Sequence, residues 1–297
     1  MASDNGHHPG LVRTAVGGAY GVELYPGRSS SELVEASLRG RLKQDRRTGD
    51  AVVPGDRVRV LRHDDGSHTI EAVEDRRSEL ARRAPGRQGA HRAKVVVANV
   101  DQLVAVFSVT HPEPRLRMLD RFLVLAEANG LEAAVVANKI DLDPEAVEPF
   151  AVYGEIGYPV LFTSAETGEG VEEIQSLLRD RISVLAGPSG VGKSSLLNAV
   201  EPGFSLRVGD VSDAVRKGRK GGYVADTPGL RELGLWGIDD QDLGTCFPEF
   251  RSHLASCQFR SCSHTHEPGC AVQAAVEDGS ISRDRYDSYV AMLESDG

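Results

Sequence analysis

The chain has 297 residues, 40% hydrophobic and 26% charged, which is the composition of a soluble globular protein with room for two or three cores. No stretch approaches the roughly 18 apolar residues of a membrane span, and the opening MASDNGHHPG lacks the basic-then-apolar pattern of a secretory signal; a cytoplasmic protein is expected. The net charge of −10 is unevenly spread: residues 1–95 hold 17 Lys+Arg against 13 Asp+Glu (+4), and the remainder holds 17 against 31 (−14), so the first third either offers a face to an anionic polymer or carries chance solvated charge.

The first ten or so residues are polar, with Gly and Pro, and read as a disordered tail. From Val12 to about Val73, AYGVEL, DAVVPGDRVRVL and SHTIEAVE alternate apolar and polar residues between Gly, Pro and Asp turns. A β-barrel of about five strands fits, with the OB-fold a natural candidate for one that binds nucleic acid. Residues 75–94, DRRSELARRAPGRQGAHRAK, carry seven Lys/Arg between Arg76 and Lys94 and read as a linker able to track a phosphate backbone. From Lys94 the texture changes. KVVVANVDQLVAVFSV has the continuous apolar runs of strands buried in a parallel sheet, PRLRMLDRFLVLAEANG has helical spacing, and LEAAVVANKIDL is again a buried strand. The alternation continues to about Gly237 and predicts a doubly wound α/β domain. The last sixty residues shift toward Cys, His and helical segments.

Four motifs carry the chemistry. GPSGVGKS, Gly187 to Ser194, meets every fixed position of G-x-x-x-x-G-K-[ST] between an apolar strand, RISVLA, and a helix, SSLLNAV. Residues Gly187, Pro188, Ser189, Gly190, Val191, Gly192 and on to Ser195 would frame a phosphate cradle with inward backbone N–H groups, except at Pro188, which has none and contributes its fixed turn. Lys193 would reach the β- and γ-phosphates and Ser194 would hold Mg²⁺. DTPG at 226–229 follows GGYVA, so Asp226 would hold Mg²⁺ through water and the Gly229 N–H would meet the γ-phosphate. NKID at 138–141 ends a buried strand. The Asp141 carboxylate can accept from guanine N1–H and N2–H₂, while Asn138 and Lys139 brace the loop, and TSAETGEG offers Ser164 and Ala165 to the guanine O6. The fourth constellation is Cys257, Cys262, Cys270 and a histidine, His264 or His266, a full tetrahedral set for structural zinc; disulfides are the alternative. Cys246 lies outside it and reads as a buried thiol.

The base-reading motif precedes the phosphate loop, the reverse of the usual small-GTPase order. Joining the original termini and opening a surface loop elsewhere preserves every strand end, and the order NKID, Ser-Ala, phosphate loop, DTPG resembles that of circularly permuted GTPases. With a barrel before it and a Cys/His tail after it, the chain resembles the RsgA/YjeQ family from about residue 11 to 293. The resemblance implies an N-terminal OB-fold barrel with its basic linker (11–94), a central circularly permuted α/β P-loop GTPase domain (95–240) and a mainly helical zinc module (241–297). It implies catalysis by Lys193, Ser194 and Asp226, and GTP hydrolysis stimulated by the small ribosomal subunit late in its maturation. It also implies contact with rRNA, one structural zinc on Cys257, Cys262, His264 and Cys270, and a monomeric protein.

Two features depart from that pattern. Leu230 stands where a Ras-type enzyme keeps a water-orienting Gln, so intrinsic turnover is expected to be slow. Between the phosphate loop and Asp226 there is no Thr and no His-Thr-Thr, so the switch segment is either shortened or lacks a loop. Both features favour a second reading, a guanine-nucleotide-dependent RNA-binding factor without efficient hydrolysis. A P-loop ATPase or kinase is disfavoured by NKID.

Overall fold

The computed structural model describes residues 6–26, 30–40, 51–83, 93–200, 214–217, 222–226 and 238–295. These fall into two compact units, one of Met1–Gln102, Ile174–Leu185 and Leu197–Gly234, the other of Leu103–Glu173, Ala186–Leu196 and Leu235–Gly297.

In the first unit, β1 (His7–Val16), β2 (Ala19–Leu24), β3 (Glu32–Leu38), β4 (Arg57–Arg62) and β5 (His68–Val73) form the barrel. Their order is β1-β2-β3-β5-β4, and β4 closes back on β1 from His7↔Leu61 to Leu11↔Arg57. Closure of five strands in this order is the OB-type solution to the edge-strand problem. The period-2 pattern seen in the sequence sets the faces: ELVEASL buries Val34, Ala36 and Leu38, and RVRVLR buries Val58 and Val60, all into a core with Val12, Val22, Leu24 and Ile70. The barrel begins at His7, four residues before the expected start at Leu11. His7 to Gly10, expected in a disordered tail, pair with β4 together with Leu11.

Two further expectations change here. The linker contains β6 (Glu79–Arg83), which pairs antiparallel with β7 (Ala93–Ala98) in a separate two-stranded ribbon. KVVVA is therefore not a strand of the parallel sheet. A three-valine run fits any strand, and the antiparallel partner was hidden in a segment whose charge read as linker. The linker's first cation is also already committed. Arg76 donates from Nε and Nη2 to Asp56, whose carboxylate is fully buried, and from Nη2 to the Ala51 carbonyl. The exposed Arg77 donates to Asp101. A guanidinium saturated by a buried carboxylate holds structure and is not offered to phosphate.

The same unit contains β11 (Ile182–Ala186), β12 (Ala214–Lys217) and β13 (Tyr223–Asp226). β13 runs parallel to β11 and antiparallel to β12, and Thr14 of β1 stands opposite Ala214 of β12. Arg216 and Lys217 lie in β12; Arg219 and Lys220 fall outside the described residues.

In the second unit, β8 (Gln102–Ser108) is buried at every residue, as its uninterrupted apolar run requires. It is followed by α1 (Leu116–Ala128), β9 (Glu132–Asn138), α2 (Ala151–Ile156) and β10 (Val160–Thr163), with β9 beside β8 and parallel to β10. α1 ends at Asn129-Gly130, where Gly130 has φ +63° and Leu131 N–H reaches back to Ala126. The chain passes from this unit into the first within α3 (Val171–Leu178) and again within α4 (Lys193–Val200). Beyond them α5 (Ala271–Glu277) and α6 (Arg283–Ser295, through Tyr286 and Tyr289) pack on Phe247 and Phe250, and Val124 of α1 joins that cluster. Cys246 is buried there as expected.

Candidate nucleotide site and metal cluster

The phosphate loop leaves β11 and enters α4, and its shape depends on two glycines. Gly187 has φ +149°, and a Cβ on it would sit 2.0 Å from the Val106 carbonyl oxygen. Gly192 has φ +96°, and a Cβ there would meet the Asn138 amide at 2.4 Å. Side chains are excluded at both places because backbone and a buried amide occupy the space. Leu196 N–H donates to the Gly192 carbonyl at 2.8 Å, so the helix starts at the loop's last glycine. Ser194 is half-buried at that start and Ser195 is exposed.

The base motif grips this loop directly. Asn138, 1% exposed at the end of β9, donates from Nδ2 to the Val191 carbonyl at 2.8 Å and accepts from the Thr163 hydroxyl at 3.0 Å. Lys139, with φ +68°, donates from Nζ to the carbonyls of Gly190 (2.6 Å) and His111. Two residues that sequence reasoning gave to guanine thus also brace the phosphate loop. Their partners Val191, Gly190, Thr163 and His111 were not legible, because each is fixed by a contact between segments far apart in the chain. Asp141 is exposed and accepts from the Ser164 hydroxyl. Ser164 is itself buried, held by Glu169 and Thr167 in the turn of TSAETGEG, and Ala165 is half-exposed beside it. Lys193 folds over the loop, its Nζ donating to the carbonyls of Gly187 and Pro188 at 2.8 Å each. A bound phosphate would give this cation stronger, charge-assisted acceptors than two carbonyls. Asp226 closes β13; Thr227, Gly229 and Leu230 fall outside the described residues.

The cysteine constellation also converges. The ligand atoms of Cys257, Cys262, His264 and Cys270 all lie within 4.8 Å of one another. His264 Nδ1 is 3.6 Å from Cys257 Sγ and 3.5 Å from Cys270 Sγ. Metal–sulfur and metal–nitrogen bonds of about 2.3 and 2.0 Å at tetrahedral angles place such atoms roughly 3.6 Å apart, so this set fits a tetrahedral ion. All four cysteines are free thiols, and His266 points instead to the Thr265 hydroxyl. Burial, then the neighbouring Cys270 and Cys257, pushes the Cys262 thiol up to about 12; a divalent cation reverses that balance by stabilising thiolate. The knuckle is held from outside by Tyr286, which donates to the His264 carbonyl at 2.7 Å, and Tyr289, which donates to Ser263 at 2.8 Å. Glu267 accepts from Ser263 N–H at 2.7 Å, and such hydrogen bonds depress its pKa. α5 and α6 give this segment an apolar bed, with Cys257 and Cys262 packed against their cluster.

A base-reading strand end placed before a phosphate loop yet gripping it in space, behind a closed five-stranded barrel, defines a circularly permuted P-loop GTPase with an N-terminal OB-type barrel. The family model described as "RsgA GTPase" matches residues 73–236. The chain is 48% identical to the small ribosomal subunit biogenesis GTPase RsgA of Gemmatimonas aurantiaca, with 96% of each chain covered. It is 40% identical to the protein of the same name from Chlorobaculum tepidum, over 96% of this chain and 97% of that one. Among solved structures it is similar to YjeQ from Thermotoga maritima (TM-score 0.83, 37% identity, 97% and 98% covered) and to YloQ, a circularly permuted GTPase (TM-score 0.78, 33% identity, 99% and 96% covered). The chain belongs to the RsgA GTPase family and is a GTP hydrolase.

Proposed function

We propose that this protein hydrolyses GTP in response to the small ribosomal subunit and assists that subunit's late maturation as a cytoplasmic, monomeric factor. The observation that carries this reading is the grip of Asn138 and Lys139 on Val191 and Gly190, which ties guanine recognition to the phosphate loop. It is supported by whole-length similarity to relatives named small ribosomal subunit biogenesis GTPases. The division of labour follows the chain: residues 11–94 and their basic surface meet rRNA, 95–240 bind and cleave GTP, and 241–297 form the metal-stabilised module.

Asp141 and the Ser164–Ala165 turn read the guanine edge. Backbone groups from Gly187 to Ser195, and the Gly229 N–H, hold the phosphates. Lys193 neutralises charge developing on the β- and γ-oxygens, and the cradle costs no reorganisation because its glycines and its Asn138 brace are already set. A Mg²⁺ ion held by Ser194 and, through water, by Asp226 would supply the remaining charge neutralisation. Leu230 cannot orient water, so the intrinsic rate is low and the subunit provides the missing activation.

The test is phosphate release from GTP with and without purified small ribosomal subunits. A stimulation of at least tenfold is expected; tight GTP binding without stimulated release would make the protein a binding factor instead. Asp141→Asn removes the acceptor for guanine N1–H and N2–H₂ and shifts preference from GTP to XTP. We expect about 10²-fold or more, read as the ratio of the two kcat/KM values, because each buried hydrogen bond mismatch is worth about 1–3 kcal/mol.

The ion on Cys257, Cys262, His264 and Cys270 is zinc, the choice of a Cys₃His tetrahedron. Metal analysis should find one zinc per chain, and Cys270→Ser should abolish it. A strong chelator is expected to unfold residues 241–297 selectively, seen as loss of hydrogen-exchange protection there. An intact module after complete zinc removal would overturn this assignment.

A further inference from the structure

β1 of the barrel carries a bulge at Arg13: Val12 stands opposite Val22 and Thr14 opposite Gly21, leaving Arg13 as the extra residue. A bulge re-aims a side chain and breaks the regular ladder. Here the guanidinium is aimed across the fold at the ring of Tyr223, 5.0 Å from its centroid, while its Nη1 donates to Glu23 at 2.6 Å. Glu23 is 3% exposed, a buried carboxylate beside β1. Burial first, then the Glu23 carboxylate, pushes the Tyr223 hydroxyl up to about 12, so the phenol stays neutral between its two charged neighbours.

Tyr223 begins the strand that ends at Asp226. The next residue of β1 engages the same hairpin from its other strand: Thr14 stands opposite Ala214, and Ala214 stands opposite Asp226. Thr14, Ala214 and Asp226 therefore form one row of backbone partners. The barrel holds the strand of Asp226 at both ends, by the Arg13–Tyr223 contact at its start and by this row at its finish. Barrel stability alone does not require the arrangement, since an apolar pair of similar size would serve as well or better than a buried ion pair.

We propose that Arg13, Glu23 and Tyr223 are positioning residues that couple occupancy of the barrel to the placement of Asp226. This deepens the ribosome-stimulated reading above and rests on it for the identity of the activator. RNA docked on the barrel shifts β1, the shift passes through Arg13 and the Thr14–Ala214 row, and the acid at the end of β13 moves in register. Coupling is reciprocal, so nucleotide binding changes RNA affinity by the same factor.

The experiment uses the full chain with Tyr223→Leu, and with the charge-neutral pair Arg13→Gln/Glu23→Gln, which leaves no buried charge unpaired. Two quantities are read: phosphate release with and without small subunits, and affinity for a non-hydrolysable GTP analogue with and without them. In both variants basal kcat, KM for GTP, and subunit affinity of the nucleotide-free protein should stay within about twofold of wild type. Stimulated kcat should fall at least tenfold, and the subunit-induced change in analogue affinity should be lost. Full stimulation retained in both well-folded variants would overturn the proposal. So would an equal fall in basal and stimulated rates, which marks a merely structural role. If the wild type shows no stimulated release, the activator reading fails on its own. The analogue affinities then still decide the coupling, a subunit-induced change lost in the variants supporting it and no change in the wild type overturning it.

Discussion

Lys193→Ala should lower subunit-stimulated GTP hydrolysis by about 10²–10³-fold, the loss that follows removal of one preorganised group from a charge-stabilising cradle. Its ammonium is the cation of the loop, and its two present acceptors, Gly187 and Pro188, are the carbonyls that frame the cradle. The effect should fall on kcat more than on KM, because charge on the bridging oxygen grows toward the transition state. The fold should be little affected, since two hydrogen bonds to carbonyls at a half-buried position contribute about 1 kcal/mol each. Single-turnover phosphate release at saturating GTP measures this. A variant within threefold of wild type would mean that another cation does the work.

Arg285→Ala is the largest expected effect on stability. The Arg285 side chain is 1% exposed and donates to Asp120 at 2.7 Å and to Glu249 at 2.7 and 3.3 Å, while its guanidinium stacks 4.7 Å from the Phe247 ring. Tyr153 completes the network by donating to Asp120 at 2.7 Å. Burial works against the Arg285 charge, and Asp120 and Glu249 more than offset it, raising its pKa. Alanine would leave two buried carboxylates without their cation, at a cost of about 3–5 kcal/mol, or a fall in Tm on the order of 10 °C for a unit of this size. Thermal unfolding of the zinc-loaded protein is the measurement. The triple exchange Arg285→Met/Asp120→Leu/Glu249→Gln should recover much of the loss, since the penalty comes from unpaired charge. A single variant that melts with wild type would show that water reaches these carboxylates.

The barrel and the phosphate loop were open to reading because both rest on local rules. Alternation in ELVEASL and RVRVLR reports which face is buried wherever one face meets solvent. GPSGVGKS is legible because a phosphate cradle needs glycines at fixed spacing ahead of a helix. The Cys₃His spacing was legible for the same reason, and geometry then chose His264, whose Nδ1 meets two thiols, over His266. What failed was assignment of partners. KVVVA carries the pattern of a buried strand but pairs with a charged segment read as linker. Arg76 looked like one phosphate-tracking cation among seven until Asp56 appeared beneath it. Asp120 gave a faint signal, an acid inside the apolar stripe LDRFLVLAEA, but its cation stands 165 residues away.

By itself the sequence determined the kinds of parts: a small barrel, an α/β nucleotide domain with its motifs in permuted order, and a tetrahedral ligand set. These follow from spacing along the chain, and spacing is a property of local geometry. Only the tertiary structure decided which parts hold which. Asn138 bracing Val191, Arg285 joining Asp120 to Glu249, and the bulged Arg13 over Tyr223 are contacts between segments tens to hundreds of residues apart. Nothing in one segment's pattern encodes the position of the other, because a hydrogen bond depends on where two groups end in space and not on how the chain reached them.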